Sequence, residues 1–425
     1  VGPSLGQEAI TSGLWSFIIA FIVVLIYMYL YYNHSGLVAN LALITNVFFI
    51  FGVLASFGAV LTLPGIAGIV LTLGMAVDAN VIIYERIKEE VRAGKGTRLA
   101  ITDGYKHAYS AIIDGNVTTL LTAVILYIFG SGPVQGFATT LTIGIISSLF
   151  TAIFISRIIF VWMLDRNWEI KFANKSTINA FVNTNIDFVG IRKYGYIISI
   201  SIFVISIASI AIRGLNYGVD FSGGRTYVVR FDQDVRTAEV RDALTTSFVN
   251  EQGQNVAPEV KTFGPNNQVK VTTKYMIESD EPEVDSVIQS KLFTGLKPFY
   301  RDQNINFKEF STTTEAEGKL LGILSSNKVG PTIADDIRNA AFLAVLFALI
   351  GIFIYIAIRF RRWQFGLAGV ISLFHDTIIT IGVFSLFYGL LPFNLEVDQA
   401  FIAAILTIIG YSINDTVIIF DRIRE

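Results

Sequence analysis

Gly74-Met75-Ala76-Val77-Asp78-Ala79-Asn80-Val81-Ile82-Ile83-Tyr84-Glu85-Arg86-Ile87-Lys88-Glu89 recurs at the other end of the sequence as Gly410-Tyr411-Ser412-Ile413-Asn414-Asp415-Thr416-Val417-Ile418-Ile419-Phe420-Asp421-Arg422-Ile423-Arg424-Glu425. Each copy is an apolar run that holds one carboxylate and closes on a charged turn. A second pair, Val1-Gly2-Pro3-Ser4 and Val329-Gly330-Pro331-Thr332, stands just before an apolar run in both places. Two matches in the same order predict a duplicated unit of three membrane spans, each copy ending in the quoted signature.

The composition agrees with a membrane setting. Of 425 residues 53% are hydrophobic and only 16% charged, and mean hydropathy is +0.58. A soluble domain averages about 25% charged residues, so the bilayer is the solvent expected for this much apolar surface. The net charge of −2 speaks against nucleic acid as a partner. Cysteine is absent, which excludes disulfides and cysteine-ligated metal sites. The start, Val1-Gly2-Pro3-Ser4, has no Met or basic stretch and does not read as a signal peptide, and the end, Asp421-Arg422-Ile423-Arg424-Glu425, stops right after an apolar run, so both ends read as cut and the chain as a piece of a longer protein.

A spanning helix needs about 20 mostly apolar residues. Roughly nine stretches qualify by that rule, near 11–32, 37–58, 64–84, 112–130, 134–164, 194–212, 338–358, 364–389 and 399–420. Lys and Arg collect after the third, fifth and seventh spans and are missing from the turns at 59–63, 130–133 and 390–398. The positive-inside rule makes the basic loops cytoplasmic. Both signatures then end on the cytoplasmic side, the two repeats share one orientation, and their pseudo-axis lies along the membrane normal. Sites in such proteins collect near mid-membrane at the repeat interface. The expected division is helices over 1–165, a cytoplasmic linker over 166–193, a span at 194–212, a water-facing domain on the opposite side over 213–330, and further helices over 331–425. Within 213–330 the pattern predicts strands at 227–231, 260–263, 269–273 and 305–310, with helices at 236–251 and 284–300. This β-α-β-β-α-β order is that of a small α+β ferredoxin-like domain.

Asp78 in the third span and Asp415 in the ninth are the foremost functional candidates. A carboxylate in hydrocarbon costs about 2.5–3.5 kcal/mol on insertion scales and often marks a proton relay. Burial disfavours the charged form of a carboxyl, so such a group can load and release a proton near neutral pH. The plainer reading, a polar residue joining helices, suits one such Asp better than two at near-equivalent places of a repeat. Aligned on the glycines, Asp78 faces Asn414 and Asp415 faces Ala79, an offset of about 100° around a helix. Asn80 and Asn414 stand close enough in sequence to hydrogen-bond a neutral carboxyl. Asp376 in the eighth span is a further proton-path candidate. Its neighbour His375 reads as a helix contact, because adjacent helical residues do not share a face. Asp114, at the expected cytoplasmic start of the fourth span, reads as a helix-start residue, with a proton-path role as the other reading. Arg86 and Arg422 read as anchors at the membrane edge, Glu85/Arg86/Lys88/Glu89 as a solvated helical face, and Asp220-Phe221-Ser222-Gly223-Gly224-Arg225 as a tight turn before a strand. No nucleotide loop and no metal cluster is legible, so ATP held by this chain is not the expected energy source.

These residues carry a family resemblance. Val1-Gly2-Pro3-Ser4-Leu5-Gly6, Leu63-Pro64-Gly65-Ile66-Ala67-Gly68, Gly74–Asn80, Gly218-Val219-Asp220-Phe221-Ser222-Gly223-Gly224, His375-Asp376 and Ile409–Thr416 make the chain similar to the bacterial protein translocase subunits SecD and SecF, joined as SecDF, of the resistance–nodulation–division (RND) superfamily. The resemblance implies an RND-like helical membrane protein, SecD-like over 1–165 and SecF-like from 194. It implies an inner-membrane location beside the SecYEG channel and a periplasmic place for the 213–330 domain. It further implies a proton gradient as energy source without a cofactor or resident metal, an exported preprotein as substrate, and the bilayer, YajC and YidC as further partners. Asp78 and Asp415 match the family's proton-relay aspartates. A large periplasmic domain expected before Val1, and two spans expected after Glu425 with an Arg of the proton path, are not in the sequence. A small-molecule or lipid exporter of the same superfamily is the alternative, and a passive scaffold for the translocon a third reading. None of these is an enzyme.

Overall fold

The computed structural model describes residues 3–58, 63–174, 176–178, 186–249, 258–263, 265–277, 279, 281–311, 321–391 and 395–424. Val1, Gly2, the turn at 59–62, Lys175, the 250–251 end of the expected second-domain helix, Gly264 and Glu425 lie outside the described residues. Among the described residues nine helices are long and apolar enough to cross a membrane, the number the hydropathy pattern predicts. Six of them precede the inserted domain. They are α1 (Pro3–Tyr32), α2 (His34–Ser56), α3 (Leu63–Arg92), α4 (Thr97–Phe129), α5 (Pro133–Phe150), which runs through a π turn at Thr151–Ile155 into α6 (Ser156–Asp165), and α7 (Arg192–Arg213).

The inserted domain opens with a helical turn, α8 (Val219–Ser222), followed by β1 (Gly224–Arg230), α9 (Thr237–Ser247), β2 (Glu259–Thr262), β3 (Gln268–Thr273), α10 (Pro282–Leu296), a short α11 (Phe307–Ser311) and β4 (Gly322–Val329). Three long helices follow: α12 (Pro331–Arg359), α13 (Trp363–Phe387) and α14 (Gln399–Arg424). The contacts divide the chain into two units. The helical unit holds Ser12–Val204, Leu343–Ile379 and Ala403–Glu425, and the sheet unit is built mainly from Ile205–Phe342 and Thr380–Ile402.

Within the helical unit α3 and α4 are the most enclosed of the spans. Both continue as helix beyond their apolar runs, α3 to Arg92 and α4 back to Thr97, and their polar extensions close over a core of Tyr84, Ile87, Ala100, Ile101, Tyr105, Phe160 and Phe172. Lys88 is buried there, 2.8 Å from Glu85 and over the Tyr31 ring, rather than on the solvated face its sequence neighbours suggest. At the opposite extreme α1, like α7, is only 11% buried over its apolar window. Its exposed face carries Ile19, Ile22, Val23 and Ile26. An apolar surface of that extent belongs against lipid, where the helix satisfies its own backbone.

The sheet unit contains one four-stranded antiparallel sheet in the order β2-β3-β1-β4, with α9 and α10 covering a core that includes Tyr227, Val229, Phe231, Val240, Leu244, Ile288 and Leu292. This is the ferredoxin-like order expected, with one correction. Residues 305–310 do not form the final strand; 307–311 is α11, and the strand is Gly322–Val329. Ile305 and Phe310 are the buried residues of the stretch, a spacing that alternation does not produce, and the Asn306 side chain accepts the Glu309 N–H to start the turn of helix.

The expected tight turn before β1 is present. Gly223 and Gly224 adopt φ of +65° and +149°, conformations that favour glycine. Arg225 behind them is fully buried. Its guanidinium donates to the carbonyls of Tyr275, Met276 and Ser279, and Asp285 lies 2.9 Å from Nε, off the N–H direction, as an ion pair. Arg225→Met would strip three carbonyls of a charged donor, at about 1.5–3 kcal/mol for each such bond before relaxation. We expect β1 and β3 amides in the full-length protein to exchange hydrogen at least about 100-fold faster in this variant, a change of some 3 kcal/mol in opening free energy.

Candidate functional site

The sequence candidates fall on three neighbouring contacts of the helical unit. The first joins the two repeats. Tyr411 on α14 donates its hydroxyl to Asp78 Oδ2 on α3 at 2.9 Å. Asp415 lies one turn further along α14, and the like charges of Asp78 and Asp415 act on one another. Tyr411 and Asp415 are four residues apart, so they share one face of α14. Asp78 is half-buried and Asp415 exposed. The one-residue offset in the repeats thus gives the carboxylates different settings: one holds a hydroxyl across the repeat interface, and the other flanks it.

Close packing makes this contact possible. A Cβ added at Gly115 of α4 would stand 1.7 Å from Asn414 Oδ1, and one at Gly410 would stand 2.6 Å from Thr122 Oγ1. Small residues of this kind let helix backbones approach within a membrane. Thr119 fixes the crossing by donating to the Gly410 carbonyl at 2.8 Å. Asn414 and Asn116 line a niche of about 10 Å³ beside Asp78, about the size of one water. Asn80 does not reach a carboxyl; it donates to Ala76 O of its own helix at 3.0 Å.

The second contact holds Asp114. The expected helix-start role is incorrect, because α4 begins at Thr97 and Asp114 is buried well within it. Arg359, the last residue of α12, grips it with Nε at 2.8 Å from Oδ1 and a terminal nitrogen at 2.8 Å from Oδ2. Tyr355 donates to the same Oδ1 at 2.8 Å. The guanidinium also bonds Ser110 and lies 3.9 Å from Asp421 of α14. One cluster therefore ties α4, α12 and α14.

The third contact is at Asp376, whose Oδ2 accepts from Ser412 at 2.5 Å. His375 does engage its neighbour, with Nδ1 3.0 Å from Asp376 Oδ1, against the expectation from helical spacing. Its ring also stacks on Phe203 and bonds Ser199, the helix-contact role expected of it. Ser412 and Tyr411 precede the α14 signature's Asp, where the first repeat has Ala76 and Met75. That difference between the repeats is the sequence signal for both.

A cavity of about 430 Å³ opens on the side of the basic loops, rimmed by Glu85, Arg86, Glu89, His107, Asp421 and Arg422. Its walls include Ile82 and Ile418, equivalent residues of the two signatures, and Ile82 also lines the niche at Asp78. Arg422 does more than anchor a helix end: it pairs with Glu89 of the other repeat at 2.6 Å. Among the described residues no group of three or more His, Asp or Glu side chains is placed to hold a metal ion. The arrangement can hold and release a proton at a carboxylate, with a charged cavity near it, and can change the attraction between two helices as it does so.

Comparison with known proteins gives the following matches. The profile of the family described as "Protein export membrane protein SecD/SecF, C-terminal" covers residues 1–166 and 309–425, and that of the "SecD/SecF GG Motif" covers 208–235. The protein translocase subunit SecDF of Bacillus subtilis is 33% identical over the whole of this chain, which covers 54% of that relative. The crystal structure of SecDF, a translocon-associated membrane protein from Thermus thermophilus, matches with a TM-score of 0.82 at 35% identity, over 100% of this chain and 53% of that one. SecDF in a super-membrane-facing form matches with a TM-score of 0.69 at 35% identity, over 100% and 52%. The chain spans about half the length of the curated relatives it matches.

Proposed function

The chain belongs to the SecD/SecF family of protein export membrane proteins, and on that premise we propose that it works as a proton-motive-force-driven accessory subunit of the Sec translocase. In this reading it lies in the inner membrane beside SecYEG, with YajC and YidC as further partners. The basic loops face the cytoplasm, and the sheet domain faces the periplasm, where the exported chain is received. The proton gradient supplies the energy, no cofactor takes part, and no covalent bond is made or broken on this chain. The relatives' names, all of them translocase subunits, favour this over a small-molecule or lipid exporter.

The observation that carries the reading is the Tyr411–Asp78 bond between the repeats, with Asp415 beside it. An ionised Asp78 accepts a charge-assisted hydrogen bond, a kind worth about 1.5–3 kcal/mol. A protonated Asp78 loses most of that attraction and no longer repels Asp415. Protonation therefore biases the packing of α3 against α14, a differential interaction of the sort that shifts a population between two arrangements. Each charge crossing 100 mV makes about 2.3 kcal/mol available, comparable with the bond being switched. Asp376 with Ser412, and the charged cavity near Ile82, stand where further steps of the proton's route would lie.

The test is proton-motive-force-dependent completion of preprotein translocation into inverted membrane vesicles that carry the full-length protein. Loss of the stimulation in Asp78→Asn and in Asp415→Asn, at normal membrane insertion and translocon binding, supports the reading. Unchanged stimulation in both leaves a passive scaffold in its place.

A further inference from the structure

We propose that Glu396 is a coupling residue, fastening the sheet of the inserted domain to the start of α14 so that the two move as one body. This rests on the proton-driven reading above, in which α14 carries Asp415. Glu396 belongs to the short segment before α14, and its side chain is only 6% exposed. Lys261 of β2 reaches Oε1 at 2.8 Å, and Lys270 of β3 reaches Oε2 at 2.6 Å. These lysines are paired directly across the two strands, a placement in which like charges repel. Glu259 at 2.7 Å and Asn216 at 3.0 Å take part of the charge of Lys261, but among the described residues Glu396 is the one bonded to both lysines.

Backbone bonds reinforce the attachment. Val397 N donates to Asn216 O at 2.8 Å and Gly218 N to Val397 O at 2.9 Å, and Tyr217 and Val397 form a parallel bridge. The helix follows with no intervening slack. Asp398 caps it by accepting the Phe401 N–H at 2.8 Å, and Asp220 accepts the Gln399 N–H at 3.1 Å. From Gln399 the helix reaches Asp415 after a rise of about 24 Å at 1.5 Å per residue. A loop that only joined two elements would not need a buried carboxylate divided between two strands. Glu396 touches no proton-relay residue and is a positioning residue.

The experiment compares Glu396→Gln with the charge exchange Lys270→Glu/Glu396→Lys in the full-length protein in inverted vesicles. Both proton flux through the protein and proton-driven completion of translocation are measured. Glu396→Gln is expected to cut the stimulation of translocation at least about tenfold while proton flux stays within about twofold, and the exchange is expected to restore stimulation. A variant that merely misfolds lowers both readings together, and only the exchanged pair then decides: a folded exchange variant without stimulation overturns the proposal. Full stimulation in Glu396→Gln overturns it too and leaves the relay reading standing, provided Asp78→Asn abolishes stimulation in the same vesicles. If Asp78→Asn is also fully active, the relay reading fails and the coupling falls with it.

Discussion

Asp78→Asn in the full-length protein is expected to abolish proton-driven stimulation of translocation, and Tyr411→Phe to weaken it by about 10- to 100-fold. The Asn keeps the shape and can still accept the Tyr411 hydroxyl, but it cannot take up or lose a proton. The two-state bias between α3 and α14 then has nothing to drive it. Tyr411→Phe keeps the proton site and removes the 2.9 Å bond that reports its state to the other repeat. A hydrogen bond to a charged acceptor contributes about 1.5–3 kcal/mol, which is the origin of the tenfold to hundredfold figure. The two substitutions act on one contact and should not add: Asp78→Asn/Tyr411→Phe is expected to be no worse than Asp78→Asn. The assay is the rate of completion in inverted vesicles with and without a proton gradient. A Tyr411→Phe protein as fast as the unaltered one would show that the bond across the repeats transmits nothing, even where Asp78 itself proves essential.

The carboxylates of that contact are legible in the sequence because a charge inside an apolar run is costly and therefore conspicuous. Their partners are not. Tyr411 in a membrane helix reads as another large side chain, and Arg359 at the end of a span reads as a residue snorkelling to the surface. Only the crossing of α4 with α12 brings Arg359 onto Asp114. The nine spans follow from length and hydropathy, which fold topology does not alter. The inserted domain is legible through α10, where helical spacing, alternation and turn residues agree with the structure. Its last strand was hidden by a bulge. The register against β1 shifts between Val228 and Val229, so that Ile323 and Leu324, adjacent in sequence, are both buried and the period-two pattern is lost. Glu396 was equally hidden, since it is polar in a turn, and its burial depends on two strands more than a hundred residues earlier in the sequence.

Arg359→Met is expected to destabilise the helical unit by about 3–5 kcal/mol, the cost of leaving a buried carboxylate without its counter-ion. Asp114 is 3% exposed and takes two bonds from Arg359, so water cannot replace the guanidinium without opening the contact of α4 with α12. Arg359→Lys should recover little, because one ammonium cannot reproduce a fork that serves both carboxylate oxygens and Ser110 as well. Asp114→Leu/Arg359→Met should recover most of the loss, since it removes both charges of the pair; the Tyr355 hydroxyl loses its acceptor, at about 1 kcal/mol, Ser110 keeps Asp421 as an acceptor, and Asp421 loses the more distant Arg359 charge at 3.9 Å. The measurement is thermal unfolding of the detergent-solubilised full-length protein together with protease resistance in the membrane. The paired variant then separates the two readings of Asp114. Its carboxylate is engaged by Arg359, Tyr355 and Ser110, which is the setting of an anchor, so the stable double variant should keep its proton-driven stimulation to within about twofold. A double variant that is stable but no longer stimulated would instead place Asp114 on the proton's route, and Arg359, 3.9 Å from Asp421, would become the residue that passes the change of charge from α4 to α14.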